Sequence, residues 1–374
     1  MFTFPFTNAF FENNDKNLHK STANLKKNSI FAGSKIRNSM ITDIALSSLG
    51  PIEKLEAKGL QNINLLIGKN GMGKTFLLKA LYASVKTIEL YKRGQNIRSD
   101  KDILSDKLYW TFQPSALGDI VKKGNSSFSF QLVSDQDERF EYAFGISTTK
   151  QIQNLTNTFA PRTTDNSIFI PAKELLSLRE IIMESRDRYA EFGFDDTYVD
   201  LSKALAPTTK GRNYAAFAEA RQSLEDIIGG RLEYDVERSE WKFKNGKYKY
   251  DLSLTSEGIK KLSILDLLLG NHYLTNRSVI IIDEVEANLH PEMIRRFLEI
   301  IVMLAQAGIQ FFLSTHSYFV IKNLYIMAHQ KKMHVPTFSF EKDCVVQSDL
   351  LNGMPENPII QESINIYKRE IDLD

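Results

Sequence analysis

The sequence holds a single cysteine, Cys344, among 374 residues. That excludes an internal disulfide and suits a reducing cytosol. With no catalytic partner near it in the chain, Cys344 is expected as a small buried apolar residue. An excess of one charge is also lacking: 47 Lys and Arg against 46 Asp and Glu leave a formal net charge of +1. Overall charge therefore argues neither for nor against nucleic acid, which would need a local basic patch. No apolar run is long enough to span a bilayer, so no membrane partner is expected. The opening residues, Met1-Phe-Thr-Phe-Pro-Phe-Thr, lack the basic segment and apolar core of a secretory signal, and a cytoplasmic location is expected. What remains is an ordinary soluble composition, 43% hydrophobic and 25% charged, with length for one large or two ordinary domains.

What the chain does have is one dense stretch, residues 62–80. Ile63 to Ile67 is a short apolar run of strand type, and Phe76 to Val85 continues with helical spacing. Between them Gly68-Lys69-Asn70-Gly71-Met72-Gly73-Lys74-Thr75 reads G-x-x-x-x-G-K-T, a phosphate-binding loop in the strand–loop–helix context it needs. Such a loop turns backbone N–H groups inward, and the helix start adds a positive dipole end, so a polyphosphate fits. The glycines Gly68, Gly71 and Gly73 let the backbone approach the phosphates. Lys74 is expected to reach the β- and γ-phosphates, and the Thr75 hydroxyl to hold Mg²⁺. ATP and Mg²⁺ are the cofactors this implies.

Along the chain, residues 1–39 read as an Asn-, Lys- and Phe-rich extension, either pinned to the body by its aromatics or serving as a docking arm. Residues 40–171 read as one lobe, with two short strands before the loop and alternating segments at 126–133 and 139–146 that predict an antiparallel β layer. The alternation from Leu108 reads as a strand ending at Gln113. Residues 172–230 turn helical, over 174–189, 198–205 and 214–228, with no sustained heptad and hence no long coiled-coil arm. Residues 231–374 return to strands and then alternate strand and helix, which implies a mostly parallel sheet covered on both faces.

A second cluster lies roughly two hundred residues beyond Lys74. Val279-Ile-Ile-Ile-Asp283-Glu284 is a buried strand delivering two carboxylates at its C-terminal end, where an α/β sheet places its ligand. Asp283 suits Mg²⁺ as the partner of Thr75, and Glu284 suits polarisation of an attacking water. A further buried strand, Ile309 to Leu313, ends at Ser314-Thr315-His316.

The phosphate loop, the run Ile280-Ile-Ile-Asp-Glu-Val-Glu-Ala-Asn-Leu-His-Pro291 and Ser314-Thr-His-Ser317 together resemble the ABC-class ATPases of the SMC/RecF/OLD group, in the small AAA-family branch common in bacterial defence operons. The resemblance runs from about Met40 onward, with Val285 where the pattern has proline. It implies an ABC-type ATPase head: a mostly parallel phosphate-loop sheet, an antiparallel β layer and an inserted helical segment. It makes Gln113 the Q-loop glutamine that senses Mg²⁺ and γ-phosphate, and His316 the switch histidine on the γ-phosphate. It makes Thr255-Ser256-Glu257-Gly258 a degenerate signature motif, with Ser256 and Gly258 completing the ATP site of a second protomer. Residues 288–290 would cross the dimer interface, His290 serving structure rather than metal binding.

The expected function is an ATP-hydrolysing switch with slow turnover, forming a homodimer or higher homo-oligomer through its ATP sites. The residues after His316 are too few for an appended TOPRIM nuclease, so a separate effector, a nuclease or toxin, is expected, as in Septu-, PARIS- or abortive-infection-like defence pairs. The alternative is a RecF/SMC-like ATPase in DNA repair, with a DNA track along Arg179, Arg186, Arg188, Lys210, Arg212, Lys242, Lys244, Lys247 and Lys249. A transporter nucleotide-binding subunit fits less well, since the L-S-G-G-Q form is absent.

Overall fold

The computed structural model describes residues 39–374 apart from 163, 208–210, 212, 239, 343 and 374, and of Asp187 the backbone alone. The extension expected before Ser39, and with it Lys210 and Arg212 of the basic track, lies outside the described residues.

A six-stranded sheet carries the phosphate loop. Its order is β14 (Val345–Asp349), β13 (Pro336–Phe340), β3 (Ile63–Gly68), β12 (Gln310–Thr315), β11 (Val279–Ile282) and β7 (Ile168–Ile170). All neighbours are parallel except β14, which closes the edge antiparallel to β13. Every residue of β3, β11 and β12 is buried, as expected of parallel strands covered on both faces. The period-two alternation then decides which core each side chain joins. Ile63, Leu65 and Ile67 join one core, shared with the helices α4 (Asp196–Ala204), α5 (Ala215–Ile228), α6 (Glu257–Gly270), α7 (Pro291–Gln306) and α8 (Tyr318–Lys331). Leu66 joins the other, shared with α1 (Lys74–Leu90) and a five-stranded antiparallel sheet.

That second sheet has the order β2 (Ile52–Ala57), β1 (Ile41–Leu49), β4 (Ser127–Ser134), β5 (Arg139–Gly145) and β6 (Asn154–Asn157). Helix α1 has core layers on two sides, which is why most of its residues, including Lys86 and Glu89, are buried. A three-stranded antiparallel sheet, β8 (Arg231–Asp235), β9 (Glu240–Asn245) and β10 (Tyr248–Asp251), adds Leu232, Trp241 and Phe243 to the first core. Between β7 and β8 the chain is helical: α3 (Arg179–Asp187), α4 and α5. Helix α9 (Pro358–Ile371) follows β14.

Two expectations are corrected. The segment ending at Gln113 is not a strand but helix α2 (Asp100–Phe112). Ser99 caps it, its side chain accepting from Asp102 N, acids occupy the first turn, and the buried Ile103, Leu104, Leu108 and Thr111 recur with helical spacing. The local alternation of aromatics from Leu108 was the weaker signal. Cys344 is exposed rather than buried, because it lies in the turn between β13 and β14.

Candidate functional site

The loop from Gly68 to Thr75 leaves β3 and enters α1 through Gly73, whose φ of 101° lies in the left-handed region and where a Cβ would come within 2.5 Å of Ile52 Cγ1. Only glycine makes this turn at this distance. The first turn of α1 carries no acidic residue of its own, and its N-terminal N–H groups and dipole face the loop. Lys74 is buried, and its Nζ donates to the carbonyl oxygens of Gly68 at 2.6 Å and Lys69 at 2.9 Å. Burial holds its pKa below the usual lysine value, while Asp283, Glu284 and Glu286 pull the other way.

Parallel pairing of β3, β12 and β11 brings the distant acids to this loop. Thr75 Oγ1 donates to Asp283 Oδ2 at 2.9 Å, across 208 positions of sequence. The second carboxylate oxygen of Asp283 accepts from Ser314 Oγ, so the side chain is fixed from both sides. The donor set of Thr75 and Asp283 is oxygen only, the chemistry a hard cation such as Mg²⁺ takes. Among the described residues no group of three or more His, Cys, Asp and Glu could hold a metal by itself.

Glu284 follows Asp283 with φ 48°, a left-handed conformation uncommon for a residue with a side chain. Three bonds secure it: its N–H donates to Ser314 Oγ at 2.8 Å, Lys261 Nζ donates to its carbonyl at 2.7 Å, and the next N–H, of Val285, donates to Ser314 O at 3.1 Å. A proline at 285, as in the family pattern, could not make the last bond. Val285→Pro is therefore expected to cost about 1–3 kcal/mol of unfolding free energy, read from denaturant midpoints at unchanged slope. His316, at the end of β12, places Nδ1 3.6 Å from Glu284 Oε1 and 3.4 Å from Glu286 Oε1.

Gln113, the C-cap of α2, is held by the segment before α4. Its Nε2 donates to Phe194 O at 3.0 Å, and its Oε1 accepts from Gly193 N at 3.3 Å. Asp195, next in the chain, pairs with Lys79 of α1 at 2.7 Å. Ser256 is the N-cap of α6, its hydroxyl accepting from Ile259 N at 3.4 Å. Gly258, in the first turn, packs on the loop after the acids: a Cβ there would meet Asn288 O at 2.5 Å. His290 is the N-cap of α7, Nδ1 accepting from Glu292 N at 3.3 Å.

Lys261, Glu286 and Ser314 had no role in the sequence reading. The signal for Lys261 was a pair of lysines, Lys260 and Lys261, at the head of a largely apolar helical run. Burial pushes its pKa down to about 8, against the pull of Glu286, Asp283 and Glu284. An unfolded lysine titrates near 10.4. Between about 8 and 10.4 the unfolded chain therefore binds more protons, and stability rises with pH across that window. Relative to Lys261→Met, the wild type is expected to gain about 2 kcal/mol from pH 8 to 10, measured by denaturant unfolding at each pH.

A phosphate loop at the end of β3, two carboxylates at the end of β11 and a histidine at the end of β12 between them form the arrangement of a nucleotide-binding ATPase head. The chain belongs to the family described as "AAA domain, putative AbiEii toxin, Type IV TA system", whose pattern matches residues 63–322. No curated protein matches the sequence. Among solved structures, an Smc head bound to the C-terminal winged-helix domain of ScpA superposes with a TM-score of 0.52 at 14% identity, covering 84% of this chain and 98% of that one. An Smc head with an extended coiled coil, bound to the C-terminal domain of ScpA from Pyrococcus furiosus, gives 0.50 at 13% identity over 87% and 100%. ATP-bound RecF of the RecFOR pathway gives 0.43 at 13% identity over 84% and 100%. The two Smc-head likenesses establish the fold. No helix among the described residues is long and apolar enough to cross a membrane.

Proposed function

We propose that this protein is a switch that binds and slowly hydrolyses ATP, dimerises on ATP, and controls a separate effector, a nuclease or toxin, in anti-phage defence. The observation that carries the nucleotide half of this reading is the Thr75–Asp283 contact beneath the phosphate loop. Thr75 and Asp283 would hold Mg²⁺, which when bound neutralises charge on the phosphates. Lys74 exchanges the Gly68 and Lys69 carbonyls for phosphate oxygens. Glu284 takes the proton of the attacking water as ATP goes to ADP and phosphate, and His316 contacts the γ-phosphate. Gln113 leaves the backbone of residues 193–194 for the metal side of the site, which ties nucleotide state to the helical insertion of residues 172–230.

The dimer half rests on Ser256 and Gly258 at the N-terminus of α6, whose N–H groups suit the phosphate of a second protomer. For the effector, the insertion exposes Leu178, Ile181, Tyr189 and Phe192, apolar side chains of the kind a protein partner covers. The bases offered as a DNA track are largely engaged. Arg186 pairs with Asp196 and lies over Trp110, Arg188 pairs with Glu184, Lys242 pairs with Glu240 and Asp251, and Glu233 gathers Arg231, Lys244 and Lys249. This favours a protein partner over the repair reading.

The test is the mass of the protein with and without ATP, together with copurification of a soluble nuclease or toxin whose activity changes when ATP is added. ATPase activity stimulated by DNA, with steep salt dependence and no such copurifying protein, would turn the choice to the RecF-like reading.

A further inference from the structure

Glu286 is the third acid of the run after β11, and neither Mg²⁺ nor water chemistry needs it. Its side chain is only 10% exposed, yet both carboxylate oxygens are in use. Oε2 accepts from Thr315 Oγ1 at 2.8 Å, and Oε1 accepts from the backbone N–H of His316 at 2.9 Å. The His316 ring presents Nδ1 to the same Oε1 at 3.4 Å, with Glu284 Oε1 3.6 Å away on that nitrogen. The Thr315 hydroxyl is itself fixed, accepting from Ser317 N at 2.9 Å. A buried carboxylate just after β11 thus bonds to the Thr315 hydroxyl and to the His316 backbone at the end of β12, 29 and 30 positions away in sequence, and has the ring nitrogen of the same histidine at ion-pair distance.

We propose that Glu286 is a positioning residue for His316: it fixes the imidazole in place and keeps the proton on Nδ1, leaving Nε2 to face the nucleotide. The physical argument is that of any histidine whose second nitrogen must act. Free imidazole turns about its side-chain bonds and favours the proton on Nε2. A carboxylate acceptor at Nδ1 selects the other tautomer and removes the rotation. Glu284 alone cannot do this, since it is half-exposed at 34% and is itself the group assigned to the attacking water. Glu286 is anchored by two other donors and stays put when Glu284 moves to its task. The inference rests on the reading of His316 as the γ-phosphate contact.

Two readouts test it. In nucleotide-free protein labelled with ¹⁵N-histidine, the His316 signal is expected to show a protonated Nδ1, and Glu286→Gln to shift it toward the Nε2–H tautomer. An unprotonated Nδ1 in the wild type, or a tautomer unchanged in the variant, would overturn the proposal. At saturating ATP, Glu286→Gln is expected to lower kcat about 10- to 100-fold with little change in KM. The same substitution in a His316→Ala background should then change kcat by less than about 3-fold, because the residue it acts through is gone. If the two losses multiply instead, Glu286 does not act through His316. Should Glu286→Gln fail to fold, Glu286→Asp carries the same cycle, retaining the charge that faces Lys261 while withdrawing the carboxylate from the ring. A His316→Ala variant with full activity would strike down the γ-phosphate role of His316, a result separate from the tautomer measurement.

Discussion

Glu284→Gln is expected to lower ATP turnover about 10²- to 10⁴-fold while leaving ATP binding intact. The substitution keeps the shape of the side chain, and the bonds that hold this left-handed turn run from backbone atoms of Glu284 and Val285 to Ser314 and Lys261, so they survive. What is lost is a group able to accept a proton from water. Hydrolysis is the step that would release the dimer, so the variant should accumulate with ATP at twice the 42.8 kDa of one chain, where the wild type returns to a single chain as ATP is consumed. Light scattering during turnover checks this. Equal mass for both proteins with ATP would rule out the nucleotide sandwich, whatever the turnover number.

Lys74→Ala should weaken ATP binding about 10²- to 10⁴-fold, the equivalent of two charge-assisted hydrogen bonds to phosphate, and abolish the ATP-dependent dimer. The structure adds an effect on the free protein. Lys74 Nζ closes the loop by donating to the Gly68 and Lys69 carbonyls, so its removal leaves both without that donor. Faster amide exchange across residues 68–73 without nucleotide is therefore expected, alongside lost affinity in calorimetry. Retained affinity in the variant would mean the nucleotide does not sit in this loop.

Much of the site could be read before any coordinates because its chemistry is local. A glycine loop between strand and helix, acids at the end of an apolar strand, and Ser-Thr-His after another are each written within a dozen residues. The strands carrying them, β3, β11 and β12, are also the most apolar runs, so their type was plain. Gln113 shows where local reading gave way. The aromatics before it alternate over a few residues, but the cap at Ser99 and the helical spacing of buried positions prevail, and only packing against the body reveals that spacing. Cys344 failed for a similar reason, since composition ranks cysteine as buried and cannot see that this one falls in a turn. Charge pairing is likewise beyond local reading: strand pairing in β8, β9 and β10 gathers Arg231, Lys244 and Lys249 around Glu233.

The residue types and their short-range order determined the elements of the phosphate loop, the acid strand and the two-sided burial of the sheet, because backbone sterics, period and capping act over a few residues. Tertiary structure alone decided that Gln113 is held by residues 193–194, and that Lys261 and Glu286 brace the turn and the histidine beside it. Those contacts depend on strand order and on which buried charges find partners, and neither is encoded at any one place along the chain.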